Sequence, residues 1–593
     1  MGQGHTVVDG HKEGLPTRAA GLIDQAFTHY HTEFKRITVC ARERFEACDW
    51  HGLHRDAEAR LDLYGVYVDE AVKALKAMLG ESGGDRALLA AIKEEYSRRI
   101  RERDDFDIAQ SFYNSVLIRG ARAAGITGID TSIEFMGTEF ATPPTAAGGP
   151  VFVTFNSEGS TEALIQDLLW ACNFRSGWGD LAGDAVAKIE AQLAEMGWGR
   201  QVGVLEIARP IFYRGKRAYL VGRAKVIKTG SEARYVPLVI SLAHGDDGVS
   251  VDAVLMDEDD VSILFSFARE YFHVDAERPH ALVQFLRTIM PLKPVAELYI
   301  SIGYNKHGKT ERYRDLMRHM ASSSDRFEMA RGDRGMVMQV FTLPSYDLVF
   351  KVIKDTFDYP KRTTRKEVRE RYALVFKHDR GGRMVDAQEF EYLRFDKDRF
   401  QPELLDELLA TCGRTIRVEG DSVVIDHMYT ERRLVPLNLY LREVSEEAAR
   451  PMTVEYGHAI KDLASTNIFP GDILLKNFGV TRHGRIVFYD YDELCLLTDC
   501  NFRVMPQASG NDDFDEFDAY APEPWFSVAE NDVFPEEMHT FLGLPSHLKA
   551  LFYEHHSDLF TAEYWADLKR RLLAGEMIEV LPYGEGSRIT KDS

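Results

Sequence analysis

The chain has 593 residues, 45% of them hydrophobic, and a formal net charge of −22 at pH 7. A chain of this length exceeds one hydrophobic core and predicts two or more globular domains. The negative charge argues against general nucleic-acid binding, and the absence of a run of about eighteen apolar residues argues against a membrane span.

The six cysteines are scattered along the chain, with no pair at C-x-x-C spacing. This distribution favours reduced thiols and argues against a zinc site or a disulfide framework. The segment Met1–Gly14 is rich in glycine and histidine and lacks the apolar stretch of a signal peptide. The sequence therefore predicts a cytoplasmic protein.

The first half of the chain begins as helix and continues as strands. Apolar residues recur every three or four positions from Leu61 to Met78, which places them on one face of an α-helix. Glycine turns lie between alternating apolar arms within Ile211–Leu220 and within Val236–Val254. Such turns predict two β-hairpins.

Three polar stretches predict connections between these elements. Residues 142–150, rich in proline and glycine, predict a connector inside the first half. The stretch Ala321–Asp325 predicts a boundary between a domain at residues 1–320 and a second at residues 321–593. The acidic run Asp512–Asp518 is most simply a solvated loop.

The second domain opens with two features of a nucleotide site. The turn Ala330–Met336 carries Gly332 and Gly335 and precedes a largely apolar run, so its backbone N–H groups can face phosphates. The following segment, Asp347–Asp355, alternates like a strand around Lys351, and a strand lysine that contacts nucleotide phosphates is typical of protein kinases. Each feature alone is more often a plain hairpin turn or a solvated lysine.

Residues 470–492 are the most informative stretch of the chain. Asp472 is followed by Asn477, and two short apolar runs joined by Arg482-His-Gly-Arg485 then lead to Asp490. The runs predict a hairpin. A loop with Asp and Asn, followed by a hairpin that ends in a carboxylate, is the layout of a phosphoryl-transfer site of protein-kinase type.

The chemistry of phosphoryl transfer fits this spacing. Asp472 is suited to orient a hydroxyl nucleophile and accept its proton. Asn477 and Asp490 supply the oxygen ligands that Mg²⁺ prefers, and Lys476 can neutralise charge on the transferred group. Asp492 replaces the glycine of the usual Asp-Phe-Gly motif; it either positions a water beside the metal or caps the following turn.

Several long strings of the sequence resemble bacterial isocitrate dehydrogenase kinase/phosphatase. The resemblance covers the chain from about residue 20 to about residue 570. The strings that carry it include Val349-Phe-Lys-Val-Ile-Lys-Asp, Glu431-Arg-Arg-Leu-Val-Pro-Leu-Asn, Asn467-Ile-Phe-Pro-Gly-Asp, Lys476-Asn-Phe-Gly-Val-Thr-Arg-His-Gly-Arg and Val487-Phe-Tyr-Asp-Tyr-Asp-Glu.

The resemblance implies an α+β protein in which a mixed helical and strand regulatory domain precedes a two-lobed protein-kinase-like domain. It implies ATP and Mg²⁺ as cofactors, isocitrate dehydrogenase as the protein substrate, and control of carbon flow between the citric acid cycle and the glyoxylate bypass. The phosphatase of such enzymes also needs an adenine nucleotide. Lys351 would be the ATP lysine, and the phosphate-binding loop would comprise Ala330, Arg331, Gly332, Asp333, Arg334, Gly335 and Met336.

Asp386 is named as the phosphatase aspartate by the resemblance alone, because nothing else in the sequence distinguishes it from other carboxylates. This chain has Val385 where the family motif has alanine. The sequence contains no C-x5-R loop and no second nucleotide motif, which predicts that one site serves both reactions.

Four matters stay open at this point. A nucleotide-sensing pseudokinase is the alternative to an enzyme, although the complete set of Lys351, Asp472, Asn477 and Asp490 favours catalysis. A kinase of small metabolites is a weaker option, because the large first domain suits a folded partner, whose docking needs roughly 800 Å² on each side. The sequence leaves the oligomeric state open, a dimer being one option, and does not identify the glutamate that pairs with Lys351.

Overall fold

The computed structural model of the protein describes residues 14–123, 149–156, 160–178, 183–198, 202–226, 233–266, 271–359, 361, 363–378, 380–505, 528–529 and 531–589. Residues 142–148 of the predicted connector and the acidic run Asp512–Asp518 lie outside the described residues. The described residues fall into two compact units, one drawn from residues 1–262, 271–323 and 585–593, the other from residues 263–270 and 324–584.

Up to Ser323, the described residues form helices of seven to 32 residues and one antiparallel sheet. The helices are α1 (Leu15–Glu46), α2 (Trp50–Leu79), α3 (Arg86–Ile100), α4 (Phe106–Ala123), α5 (Thr161–Ala171), α6 (Gly183–Glu195), α7 (Glu258–Leu264), α8 (Pro279–Ile289), α9 (Val295–Ser301) and α10 (Asn305–Ser322). The strands are β1 (Phe152–Asn156), β2 (Val202–Ala208), β3 (Phe212–Arg214), β4 (Arg217–Val226), β5 (Arg234–Gly245) and β6 (Gly248–Leu255).

The sequence patterns of this half predicted its local structure. Tyr64, Val68, Ala71 and Leu75 form a buried stripe on α2, as the three-to-four spacing requires. Both hairpins are present, β3 with β4 and β5 with β6, in a sheet of order β1-β2-β4-β5-β6. One face of this sheet packs with α5 and α6 into a core that includes Leu164, Ile189 and Leu220.

In the second unit, the strands of the large sheet lie within residues 328–432, and most of the helices follow them in the chain. Its strands are β7 (Glu328–Met329), β8 (Met338–Leu343), β9 (Tyr346–Ile353), β10 (Gln388–Asp396), β11 (Ile416–Glu419), β12 (Ser422–Arg432), β13 (Val435–Pro436), β14 (Ile468–Phe469), β15 (Phe478–Val480), β16 (Ile486–Phe488), β17 (Cys495–Leu496), β18 (Asn501–Phe502) and β19 (Asp532–Val533). Its helices are α11 (Arg365–His378), α12 (Pro402–Thr411), α13 (Leu437–Glu443), α14 (Glu446–Ser465), α15 (Pro535–Phe541), α16 (Ser546–His556) and α17 (Ala562–Leu573).

Two parts of this unit position the candidate site. The first is the sheet β10-β12-β9-β8-β7, with β11 paired to β12. The second is helical and contains a core of buried side chains from α14, α16 and α17, among them Ile460, Phe552 and Trp565. The hairpin predicted after Asn477 is β15 with β16, and its register pairs Phe478 with Phe488. The α+β class predicted from the sequence is confirmed.

None of the helices in the described ranges combines the length and the hydropathy of a membrane span.

Candidate active site

Lys351 lies on β9 and forms a buried ion pair with Glu431 of β12. The strand register pairs Lys351 with Tyr429, so Glu431, two residues further along β12, lies on the same face of the sheet. The Lys351 Nζ is 2.7 Å from Glu431 Oε2, and the two side chains are 7% and 1% exposed. The glutamate partner that the sequence could not identify therefore comes from a neighbouring strand.

The surroundings of Glu431 keep this carboxylate in place. The Tyr372 hydroxyl of α11 donates a hydrogen bond to Glu431 Oε1 at 3.3 Å. Burial raises the pKa of Glu431, and the adjacent Lys351 ammonium group opposes that rise. Lys351 Nζ also donates to the backbone oxygen of Tyr489 at 2.8 Å. Because Tyr489 precedes Asp490, the lysine ties the sheet to the predicted metal-binding segment.

The turn Ala330–Met336 connects β7 to β8 and forms one wall of the cleft. Gly332 has a φ of 122°, a backbone conformation that favours glycine. A Cβ atom at Gly335 would lie 2.6 Å from the backbone oxygen of Met338, so this position also requires a residue without a side chain. Arg334 forms an ion pair with Glu407 at 3.3 Å, and Arg331 with Glu443. The turn thus presents backbone to the cleft while its arginines are engaged with carboxylates.

The Asp472 loop is held by its own backbone contacts. The Asn477 side-chain nitrogen donates to the backbone oxygen of Asp472 at 3.2 Å. Gly471, with a φ of 75°, packs so closely on Glu493 that a Cβ atom would lie 2.5 Å from the Glu493 backbone oxygen. The Pro470-Gly471 pair, which stands where kinases usually have His-Arg, therefore brings the Asp472 loop against the segment that follows Asp490.

The carboxylates of this region raise one another's affinity for protons. Burial raises the pKa of Asp472, and Glu493 adds to the effect. Burial and the negative charge of Asp490 raise the pKa of Asp492 to about 7. Asp492 is only 8% exposed. Such a group of acidic side chains favours a cation, which would relieve their repulsion.

All but one of the predicted site residues line a single cleft, which encloses about 1300 Å³ of free space when its mouth is included. The predicted residues that line it are Ala330–Met336, Lys351, Asp472, Lys476, Asn477, Asp490 and Asp492. Among the described residues, no group of three or more His, Cys, Asp and Glu side chains is placed to hold a metal ion.

The cleft also contains residues that the sequence did not indicate. Lys361, on the loop after β9, lines it and pairs with Glu493 at 2.5 Å. The Lys361 side chain is 12% exposed. Asn438, in the first turn of α13, lines it too, and its Oδ1 atom is buried with no hydrogen-bond partner in the described part of the chain. Lys361 belongs to no motif, and Asn438 ends one of the strings that carry the family resemblance without any role being indicated for it; the folded chain brings both to the cleft.

Asp386 is the one predicted site residue that does not line this cleft. Its carboxylate accepts hydrogen bonds from the Gln388 side-chain nitrogen at 2.9 and 3.0 Å. The neighbouring Val385 contacts the chain on both sides of Asp490: its N–H donates to the Phe488 oxygen at 3.1 Å, and its oxygen accepts from the Tyr491 hydroxyl at 2.9 Å. Asp386 is therefore attached to the backbone that carries the predicted metal ligand.

Comparison with known proteins assigns both halves of the chain. Residues 20–324 match the family described as isocitrate dehydrogenase kinase/phosphatase (AceK), regulatory domain. Residues 325–585 match the kinase domain of the same family, and a kinase domain uses a nucleotide as phosphoryl donor.

Similar proteins named isocitrate dehydrogenase kinase/phosphatase align with this chain over nearly their whole length. Isocitrate dehydrogenase kinase/phosphatase of Anaeromyxobacter sp. (strain Fw109-5) is 49% identical over 576 residues, covering 96% of this chain and 97% of that protein. The protein of this name from Xanthomonas axonopodis pv. citri (strain 306) is 42% identical over 575 residues, with 96% and 97% covered. That from Serratia proteamaculans (strain 568) is 40% identical over 581 residues, with 97% of each covered. The chain therefore belongs to the isocitrate dehydrogenase kinase/phosphatase family, and the resemblance seen in its sequence is confirmed.

Proposed function

We propose that the protein uses ATP and Mg²⁺ to phosphorylate a serine of isocitrate dehydrogenase. As a phosphatase, it also removes the phosphate from the same serine. It thereby sets the division of carbon between the citric acid cycle and the glyoxylate bypass. The observation that carries the proposal is the convergence of the Lys351–Glu431 pair, Asp472, Asn477 and Asp490 on one cleft of a kinase domain.

Residues of this cleft have distinct roles in the kinase reaction. Asp472 orients the substrate hydroxyl and accepts its proton, and its raised pKa suits a base that works near neutral pH. Asn477 and Asp490 hold Mg²⁺, which neutralises charge on the phosphates. Lys351 and the turn Ala330–Met336 bind the phosphates, and Lys476 stabilises charge on the transferred group.

Two features support the fit of an adenine nucleotide. The unpartnered Oδ1 of Asn438 is an acceptor on the cleft wall, suited to a ribose hydroxyl or an amino group. The ammonium group of Lys351 is already desolvated and oriented by Glu431, so binding a phosphate there costs little further ordering.

The same cleft serves the phosphatase reaction in this proposal. Asp492 lies beside Asp490, and its pKa of about 7 lets it exchange a proton with a water or a leaving serine at physiological pH. Lys361, released from Glu493, supplies a cation for the phosphate of the phosphorylated substrate. Asp386 acts from outside the cleft, through the Val385 contacts that position the residues on both sides of Asp490.

The direct test is a pair of assays on purified protein. Incubation with isocitrate dehydrogenase, Mg²⁺ and γ-labelled ATP should transfer label to one serine, and incubation of the labelled substrate with protein and unlabelled nucleotide should release phosphate. Transfer in neither direction, with nucleotide still bound, would favour the pseudokinase alternative. Label in a small metabolite instead of the protein would favour the metabolite kinase.

Variants separate a shared site from two sites. Lys351→Met should impair both reactions, because both need the bound nucleotide. Lys354→Met is the matched control, since Lys354 follows β9, pairs with Asp358 and does not line the cleft. Full phosphatase activity in a Lys351→Met protein that no longer binds ATP would require a second site. Asp386→Ala should reduce the phosphatase more than the kinase.

We propose that residues 1–320 form a domain that regulates the enzyme and docks its substrate, and that residues 321–593 form the catalytic domain. The regulatory role of the first domain is supported by the family match over residues 20–324. We place the protein in the cytoplasm, where reduced cysteines are the rule, since all six are free thiols. A dimer remains one option for the oligomeric state.

A further inference from the structure

Cys495 and Cys500 are separated in sequence by four residues, and their sulfur atoms lie 3.5 Å apart. A disulfide needs the two sulfurs at about 2.05 Å, so a small movement of either side chain brings them into bonding range. Cys500 is 3% exposed, whereas Cys495 is only partly buried. Cys495 is therefore the more exposed residue of the pair, and the one that a small oxidant meets first.

The turn between the two cysteines keeps them together. Residues Leu497–Asp499 form a single turn of 3₁₀-helix that returns the chain toward Cys495. Asn467 anchors this turn, because its backbone oxygen accepts from the Leu497 N–H at 3.1 Å and its side-chain oxygen from the Thr498 N–H at 3.0 Å. Lys569 of α17 donates to the backbone oxygen of Cys500 at 2.7 Å. The approach of the sulfurs is thus built into the local fold.

The pair lies beside the chain segments that form the cleft. Cys495 pairs with Phe469 in the two-stranded sheet of β14 and β17, and Phe469 is three residues before Asp472. On the other side, Cys495 follows Glu493 by two residues, and Gly471 packs directly on the Glu493 backbone. A change of backbone at Cys495 is therefore passed to both the Asp472 loop and the acidic segment.

We propose that Cys495 and Cys500 are a modification site that a peroxide converts to a reversible disulfide, and that this disulfide lowers both enzymatic activities. The second half of this statement rests on the proposed function. The hydrogen bond between the thiols also lowers the pKa of Cys495, which makes it the attacking sulfur.

The chemistry proceeds in two balanced steps. The Cys495 sulfur attacks one oxygen of hydrogen peroxide, forms an S–O bond, and breaks the O–O bond to release hydroxide, which gains a proton to become water. The Cys500 sulfur then attacks the Cys495 sulfur, forms the S–S bond and expels a second water that carries the Cys500 proton. Two thiols are oxidised, one peroxide is reduced to two waters, and a dithiol reductant reverses the change.

The thiol chemistry can be read directly, because trypsin releases both cysteines on one peptide, residues 486–503. Full-length protein is treated with one equivalent of hydrogen peroxide, its remaining thiols are alkylated, and the digest is analysed by mass spectrometry. The expected peptide carries no alkyl group and is two hydrogens lighter than the reduced peptide. Absence of this species, with other cysteines oxidised, would overturn the proposal.

Activity is measured on the same sample, in both directions, before and after dithiothreitol. We expect a fall of roughly tenfold or more that the reductant restores, since misplacement of a positioned group by about 1 Å can cost up to 10²-fold. A disulfide that leaves both activities unchanged would overturn the second part of the proposal, that the disulfide lowers activity. Peptide mass does not depend on the substrate, so it tests the site even if isocitrate dehydrogenase proves not to be phosphorylated.

Cysteine variants supply the controls. Cys495→Ser and Cys500→Ser should each keep basal activity and lose the inactivation by peroxide, and Cys500→Ser should leave a sulfenic acid at Cys495 that dimedone labels. Cys48→Ser, at an exposed position, and Cys412→Ser, at a buried one, should respond like the unsubstituted protein. Inactivation that persists in Cys500→Ser would place the sensitive thiol elsewhere and contradict the proposal.

Discussion

The nucleotide cleft of the second unit and a buried cluster around Asp107 in the first contain the same kinds of group but differ in access. In the buried cluster, Ser111 Oγ lies 2.8 Å from His307 Nδ1, and His307 Nε2 lies 3.5 Å from Asp107 Oδ2. These distances resemble those of a hydrolase triad. Yet the three residues are 2%, 2% and 5% exposed, whereas the carboxylates and lysines of the cleft line an open cavity.

The buried cluster and the cleft also differ in charge. Burial lowers the pKa of His307 to about 3, so this histidine is neutral and holds its partners by hydrogen bonds alone. The Tyr299 hydroxyl donates to Asp107 and completes the network. In the cleft, by contrast, burial and neighbouring carboxylates raise the pKa values of Asp472 and Asp492, and a bound cation would reduce the repulsion between the carboxylates. Residue types and distances do not make a site unless a substrate can reach them.

The largest expected effect tests the cleft side of this comparison. Asp472→Asn should reduce kcat of the kinase by roughly 10²-fold or more, because it removes a positioned base. Nucleotide affinity should change little, since most contacts to the nucleotide lie elsewhere. Steady-state assays and a nucleotide titration measure the two quantities. Asp421→Asn, at an exposed turn, is the matched carboxylate control, and near-normal turnover of Asp472→Asn would remove Asp472 from the mechanism.

The second prediction separates binding from stability at the buried ion pair. Lys351→Met leaves the Glu431 carboxylate buried without its partner, so the free energy of unfolding should fall by about 3–5 kcal/mol. The double variant Lys351→Met/Glu431→Gln removes the orphaned charge and should recover most of that loss without recovering nucleotide binding. Denaturant unfolding and nucleotide titration of both variants give the answer. Recovery of binding in the double variant would show that Lys351 acts only through stability.

The third prediction concerns the pH dependence of Asp492. Its pKa is about 7 in the folded protein and near the ordinary 3.8 when unfolded, so the folded state holds a proton that the unfolded state has lost. Stability should therefore fall as pH rises between roughly 4 and 7, by up to 1.4 kcal/mol per pH unit.

Asp492→Asn removes this dependence. In metal-free and nucleotide-free protein, the variant should be more stable than the unsubstituted protein by about 4 kcal/mol at pH 8 and by only about 1–2 kcal/mol at pH 5. Denaturant unfolding of both proteins at the two pH values measures this difference in the free energy of unfolding. An equal difference at both would mean that Asp492 is ionised throughout. If both activities survive in this variant, its catalytic role fails and the turn-capping alternative stands.

The smallest effect tests the buried cluster. Ser111→Ala should cost about 1 kcal/mol of stability, the contribution of one hydrogen bond, and leave kinase and phosphatase unchanged. A fluorophosphonate probe that labels activated serines should not label Ser111. Labelling of Ser111, or loss of one activity in a folded Ser111→Ala protein, would show that the cluster is accessible and would break the comparison.

Local patterns predicted the local structure well. The stripe of α2, the two hairpins of the first half, the strand around Lys351 and the hairpin after Asn477 each follow from short-range periodicity and turn residues. The convergence of Lys351, Asp472, Asn477 and Asp490 was also predicted, because kinase spacing links their positions in order.

Contacts between distant segments could not be predicted in this way. The Lys351–Glu431 pair depends on the register of β9 against β12, which the sequence of either strand leaves undetermined. Lys361 reaches the cleft from a loop without a motif, and Asn438 from the start of a helix whose sequence indicated no role in a site. Asp386 was named by family resemblance alone, and its placement outside the cleft, next to Gln388, needed the folded chain.

The origin of Glu431 changes how such a kinase can be turned on and off. Protein kinases commonly switch by swinging the helix that carries the glutamate partner of the ATP lysine. Here both members of the pair belong to adjacent strands of one hydrogen-bonded sheet, and the nearby helix α11 contributes a hydrogen bond from the Tyr372 hydroxyl. A rigid displacement of that helix would leave the ion pair intact. The catalytic sheet is in this respect permanently assembled, and inhibitors that trap a helix-out conformation should find no counterpart in this enzyme.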